Sequence, residues 1–214
     1  MWNGPTAAQQ GLNFLAAMDR AGATPHIVRH SAFGVDESRL IQQIDQVDDA
    51  VKASGRTWTI LKPTFYMQNT MMLKDSIAND GMIYWDWNDA KAGMIDLRDI
   101  ADCAFSALTQ DGHEGQSYIL TGPESVSWHE MATAIGSAIG KEVKYMSVPH
   151  EAAKESMVGF GMSEWIVDGY IELNHGFESG FADISNDNVE KLSGHPARSI
   201  QDFANDFGGY FTSN

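Results

Sequence analysis

Hydride chemistry is often assisted by a Tyr-x-x-x-Lys pair, in which the lysine lowers the tyrosine pKa so that the phenol can donate a proton. All six tyrosines fail this test: four residues after Tyr66, Tyr84, Tyr118, Tyr145, Tyr170 and Tyr210 stand Thr70, Asn88, Gly122, Pro149, Asn174 and Asn214. No Gly-x-Ser-x-Gly elbow occurs, so Ser31 and Ser163 read as strand-end and capping serines rather than nucleophiles. Cys103 falls on the apolar side of an expected helix and reads as a buried, inert thiol. His26 and His30 have the i, i+4 spacing of a helical metal pair, but on a strand that spacing spans roughly 13 Å. They cannot both ligate one ion. His113, His129, His150, His175 and His195 fall in separate loops or helix starts, and no two-His-one-carboxylate group is visible. They read as surface histidines, and no metal is expected.

The densest charged group, Asp96, Arg98 and Asp99, is open to a proton-relay reading, but two helix caps with an arginine partner explain it better. The run Phe65, Tyr66, Met67, Met71, Met72 has the character of core on one face, with its first residues lining a pocket for a flat apolar ligand. Trp85 and Trp87 share one face of a short strand. They either pack against a neighbouring lobe or form an exposed interaction patch.

These residues need a scaffold, and the local patterns predict one. A helix from Thr6 to Ala21 ends at Gly22, a strand covers His26 to Ala32, and a helix after Asp36 carries Leu40, Ile44, Val47 and Val51. TWTILKP reads as a strand closed by Pro63. This alternation is the rhythm of right-handed crossovers in a parallel sheet. A helix over 65–79 follows, then short strands at Met82 to Trp85 and Gly93 to Ile95 flanking a turn at Asn88-Asp89. Next come a helix from about Asp99 to Leu108 and a strand at Ser117 to Leu120. Ser127 and Glu130 have capping-box spacing for a helix reaching Gly140. A strand at Glu142 to Val148 and helices from Pro149, Ser163, Asn186 and Ser199 complete the pattern. The expected division lies near Leu120, with an α/β portion at 1–120 and a mostly helical lobe at 121–214 in one compact unit.

At 214 residues and 43% hydrophobic, the chain can bury a sizeable core. Its 14 Lys and Arg against 29 Asp and Glu give a net charge of -15, which opposes binding to nucleic acid or anionic membrane. One cysteine excludes an internal disulfide and favours a reducing compartment. The first ten residues, MWNGPTAAQQ, lack signal-peptide character, and no apolar run is long enough to span a bilayer. The expectation is a soluble, cytoplasmic protein.

The segment TWTILKPTFYMQN at 57–69, preceded by Ser54-Gly55, resembles the NmrA-like branch of atypical short-chain dehydrogenases/reductases. So do HIVRHSAFG at 26–34, MIDLRDIADCAFSAL at 94–108, HEGQSYILTGPESVSWHEMATAIGSAIGKEV at 113–143 and SGHPARSIQDFANDF at 193–207. The resemblance implies a doubly wound Rossmann-like parallel sheet with a small, mostly helical C-terminal lobe. It also implies an NADP- or NAD-dependent reductase of quinones, enones or carbonyls, acting on a small aromatic or quinone-like ligand. By resemblance, Ser31, Ala32 and Phe33 sit beside the nicotinamide ribose, and Pro63, Thr64, Phe65 and Asn69 line the nicotinamide side of the cleft. Tyr66 and Met67, with Phe160 and Trp165 from the helical lobe, face the substrate.

No strand-Gly-x-x-Gly-x-x-Gly-helix unit is found in the sequence, and Gly159-Phe160-Gly161 is no substitute because no strand leads into it. The fold is therefore expected as an N-terminally truncated Rossmann-like sheet whose Gly-rich unit would precede residue 1. Dinucleotide binding is expected to be weak or absent without those amides. Two other readings stand beside the reductase: a non-enzymatic ligand-binding or regulatory module, and a repurposed hydrolase acting from the same cleft. The strand at 26–32 is expected to form a sheet edge covered by a homodimer partner or a separate completing chain.

Overall fold

The computed structural model describes residues 4–212. Met1 to Asn3 of the N-terminal stretch and Asn214, the fourth residue after Tyr210, lie outside them. The chain begins with α1 (Ala7–Arg20), β1 (Ile27–His30), α2 (Arg39–Ala53) and β2 (Trp58–Pro63). A 3-10 turn at Met67–Leu73 leads into α3 (Lys74–Asp80), followed by β3 (Met82–Trp85), β4 (Lys91–Ala92), α4 (Leu97–Thr109) and β5 (Gln116–Leu120). The remainder is β6 (Val126–Ser127), α5 (Trp128–Ile139), β7 (Lys144–Ser147), α6 (His150–Gly159), α7 (Glu164–Glu178), α8 (Asn188–Ser193), α9 (Ile200–Phe207) and a last 3-10 turn at Gly208–Phe211.

The principal sheet is β1-β2-β5, parallel throughout. Alternate residues of a strand face opposite sides. Ile27 and Trp58 accordingly meet Leu15, Val47 and Val51 of α1 and α2, while Val28, Leu61 and Leu120 meet Ile100 and Cys103 of α4 and Val189 and Leu192 of α8. Helices on both faces make the α/β sheet doubly wound. Among the described residues β1 pairs with β2 alone and so forms one edge.

A second core joins the two expected portions across Leu120. Strand β3 pairs in parallel with β7, and Phe65, Trp87, Trp128 and Phe177 meet in one aromatic cluster. Strand β3 covers Met82 to Trp85 as expected, but the strand expected at Gly93 to Ile95 is not formed. Strand β4 is Lys91–Ala92 and pairs antiparallel with β6, and Ile95 makes a single bridge to Tyr66. Asn88, with φ of 49°, does turn the chain there. Trp87 is completely buried and Trp85 packs against Trp128 with the rings tilted, so this pair is packing rather than an exposed patch.

Local signals hold where capping chemistry is complete. Ser127 and Glu130 form the expected capping box, and Gly140 ends α5 in the left-handed region. Helix α2 starts two residues later than expected, after Ser38, and the segment expected as one helix over 65–79 is a 3-10 turn followed by a short α-helix.

Candidate functional site

In an open parallel sheet, ligands bind beyond the carboxyl ends of the strands. Here the ends of β1 and β2 are tied together: the Ser31 amide donates to the Leu61 carbonyl at 2.8 Å and the Phe33 amide to the Pro63 carbonyl at 2.9 Å. The segments 31–33 and 63–66 therefore lie side by side. Thr64 anchors the second through its amide, which donates to the Leu120 carbonyl, and its hydroxyl, which donates to the Gly93 carbonyl.

Tyr66 and His30 meet at this end, the hydroxyl 3.1 Å from Nε2. Burial, reinforced by nearby Tyr170, pushes the Tyr66 phenol up to about 12 against the opposing charge of Arg29. Burial and the Arg29 charge lower the His30 pKa. Both shifts favour the uncharged forms, so the pair is neutral near pH 7. It can donate and accept hydrogen bonds without carrying charge.

The opposite face of the same strands is ionic. Asp48 of α2, fully buried, accepts from the Ser31 hydroxyl at 2.6 Å and pairs with Arg29 at 3.2 Å and Lys62 at 3.4 Å. A buried carboxylate requires such partners. Alternation along the strands sends Arg29, Ser31 and Lys62 to α2 and His30 and Leu61 toward α4.

Three comparisons bear on what this arrangement is. Residues 4–200 match the NmrA-like family. Over 203 residues, 94% of this chain and 71% of the relative, the sequence is 34% identical to an NAD(P)H azoreductase of Xenophilus azovorans. The chain belongs to the NmrA-like family. The fold of this NmrA-like chain is similar to that of an NADPH-dependent quinone oxidoreductase of Escherichia coli solved with NADPH, at a TM-score of 0.83 and 21% identity over 95% of this chain and 72% of that one. It is likewise similar to the Citrobacter sp. triphenylmethane reductase solved with NADP(H), at a TM-score of 0.80 and 21% identity over 96% and 74% of the two chains.

Within this NmrA-like fold the expected site residues divide into two groups. Ala32, Phe33, Tyr66 and Asn69 retain partial exposure at the strand ends. Pro63, Thr64, Phe65 and Met67 are buried, and the Phe65 ring makes edge contacts with Trp85, Trp87, Trp128 and Phe177. Their side chains belong to the core, so at the strand ends they offer backbone alone. The Ser31 hydroxyl is likewise held by Asp48, leaving its backbone at the strand end. Trp165 is half-buried on α7 beside the Arg39 guanidinium, while Phe160 stands 86% exposed after α6.

Three features escaped sequence reasoning. His30 and Tyr66 are 36 residues apart. Asp48 had no motif to mark it. Tyr170 enters because α7 crosses α2 closely at Gly169. The charged group around Asp96 proves structural: Asp96 caps α4 and holds Arg98, while Asp99 accepts from Arg198. Cys103 is buried, its thiol pushed up to about 12 by burial and by Asp99 and Asp102, as expected for an inert thiol. Among the described residues no helix is long and apolar enough to cross a membrane.

Proposed function

We propose that this chain works as an NAD(P)H-dependent reductase of flat, conjugated acceptors, of the quinone or azo-dye kind. The observation that carries this reading is the 34% identity to an NAD(P)H azoreductase across 94% of the chain. The partly open strand ends, with the neutral Tyr66 and His30 pair, are consistent with it.

The donor set suits the nicotinamide end of a dinucleotide. Ala32, Phe33 and Asn69, with backbone from 31–33 and 63–65, would hold the ring and its carboxamide, and a bound nicotinamide supplies hydride. The neutral Tyr66 phenol, paired with His30, positions the acceptor by donating its proton to it while His30 Nε2–H donates to the phenol oxygen, and with its pKa near 12 it is no base at neutral pH. The pyrophosphate is a different matter, because these residues contain no Gly-rich turn between a strand and a helix. We place those contacts on a chain that completes the sheet at the β1 edge. A reducing, cytoplasmic setting is consistent with the buried, unpaired Cys103.

Titration of NADPH and NADH by calorimetry, with dye or quinone reduction followed by loss of NADPH absorbance, tests the reading. Micromolar binding and turnover are expected. Tyr66→Phe should lower kcat/KM about three- to tenfold, the worth of one neutral hydrogen bond, with the fold intact. Silence toward both dinucleotides at about millimolar concentration would leave the non-enzymatic module as the better reading.

A further inference from the structure

We propose that His150, His175 and Glu178 bind one divalent ion of the zinc class, at a site separate from the residues that line the strand-end cleft. His175 and Glu178 stand one turn apart at the end of α7, and His150 opens α6 opposite them. One ligand atom from each lies within 4.8 Å of the other two. Glu178 Oε2 is 3.0 Å from His150 Nε2 and 3.7 Å from His175 Nδ1, and the two imidazole centroids are 4.1 Å apart. Zinc bonds of about 2.0–2.2 Å place ligand atoms about 3–4 Å from one another. The distances from Glu178 to the two imidazoles fall in that range.

What lies behind the cluster argues more strongly than the distances. A ligating histidine ordinarily gives its second ring nitrogen to a carboxylate that sets its orientation. His150 Nδ1 lies 2.8 Å from Asp86 Oδ2, and Asp86 is nearly inaccessible to solvent. Asp86 is itself fixed by the Asn174 amide, which donates to both its oxygens, and Asn174 accepts from the indole of buried Trp87 at 3.0 Å. This buried relay orients His150 so that Nε2 faces the Glu178 carboxylate. A metal ion bound here would take the place of the proton shared between His150 Nε2 and Glu178 Oε2, while Asp86 keeps its hold on Nδ1. A surface cavity of about 240 Å³ lined by Asn88, Ser147, His150 and Glu178 leaves room for water on the remaining coordination positions. Two imidazoles and one carboxylate select zinc, cobalt or nickel over magnesium or calcium.

The second grouping of this kind, Asp99, Asp102 and His195, already contains its cation. The Arg198 guanidinium bonds both carboxylates there. Among the described residues no lysine or arginine pairs with His150, His175 or Glu178. An ion at this place would fasten the start of α6 and the end of α7 to the loop after β3.

Chelator-stripped protein titrated with Zn²⁺ by calorimetry, and with Co²⁺ followed by its visible absorption, tests the site. One ion per chain is expected, with a rise in Tm on loading. His175→Gln changes an exposed side chain and should fold normally; it and Glu178→Gln should each weaken binding about tenfold or more, and Asp86→Asn by a similar factor through His150. His113→Gln should change nothing. Absence of saturable binding up to about millimolar metal, or undiminished affinity in both His175→Gln and Glu178→Gln by folded protein, would overturn the proposal.

Discussion

Single residues here are set by what surrounds them more than by their type. Asp96 is inaccessible to solvent, and burial alone would raise its pKa; bonds from the Arg98 side chain and amide and from Gln68 outweigh that and hold it below the ordinary value. A carboxylate with a depressed folded pKa adds stability that is present above the unfolded value, about 3.9, and is lost as pH falls through the folded one. Asp96→Asn should therefore cost about 1–3 kcal/mol near neutrality, with the gap to the parent narrowing below about pH 4. Urea denaturation across a pH series measures this, and a gap that stayed constant into acid would contradict it. Tyr66 shows the same dependence with the opposite result, because burial finds no cation strong enough to offset it, and the phenol keeps its proton.

At the scale of elements, the candidate site depends on how closely α7 approaches the loop and helix after β1. A Cβ on Gly169 would lie 2.6 Å from Leu40 Cγ and 3.0 Å from Arg39 Cγ, and one on Gly176 would lie 2.8 Å from both Val35 methyls. The contact is held by the Ser38 hydroxyl, which donates to the Gly169 carbonyl, and by Arg39 with Glu172 and Asp168. Gly169→Ala keeps helical propensity but forces α7 away from α2, so it should destabilise the fold by about 1–3 kcal/mol, although alanine is the better helix former. Because Tyr170 moves with that helix, the same variant should weaken acceptor binding. Chemical denaturation and KM measured on one preparation check both effects.

For the whole molecule, the unmatched element is the edge of the principal sheet. Strand β1 pairs on one side only among the described residues, and α4, packed over β1 and β2, leaves Phe105 and Leu108 at 67% and 61% exposure. An open parallel edge beside apolar surface invites a further strand. We propose that this edge is covered by a second copy or by a complementary chain. Size-exclusion chromatography with light scattering should show an associated species at micromolar concentration, which Phe105→Glu shifts toward monomer. A well-folded monomer under those conditions would count against self-association.

The parts of this fold legible in the sequence are those whose causes are local. Apolar spacing marked α1, α2 and α4, Ser127 with Glu130 marked the start of α5, and the alternation of helix and strand marked the parallel sheet. The amino-acid order by itself determined these because helix caps and strand alternation depend on neighbours a few residues away. Only the tertiary structure decided that β3 runs beside β7, that Phe65 and Met67 turn into the core, that His30 meets Tyr66, and that His150, His175 and Glu178 converge on one point. Each of those facts joins segments roughly 20 to 110 residues apart, where spacing along the chain carries no information and the packing of buried surfaces chooses the partners.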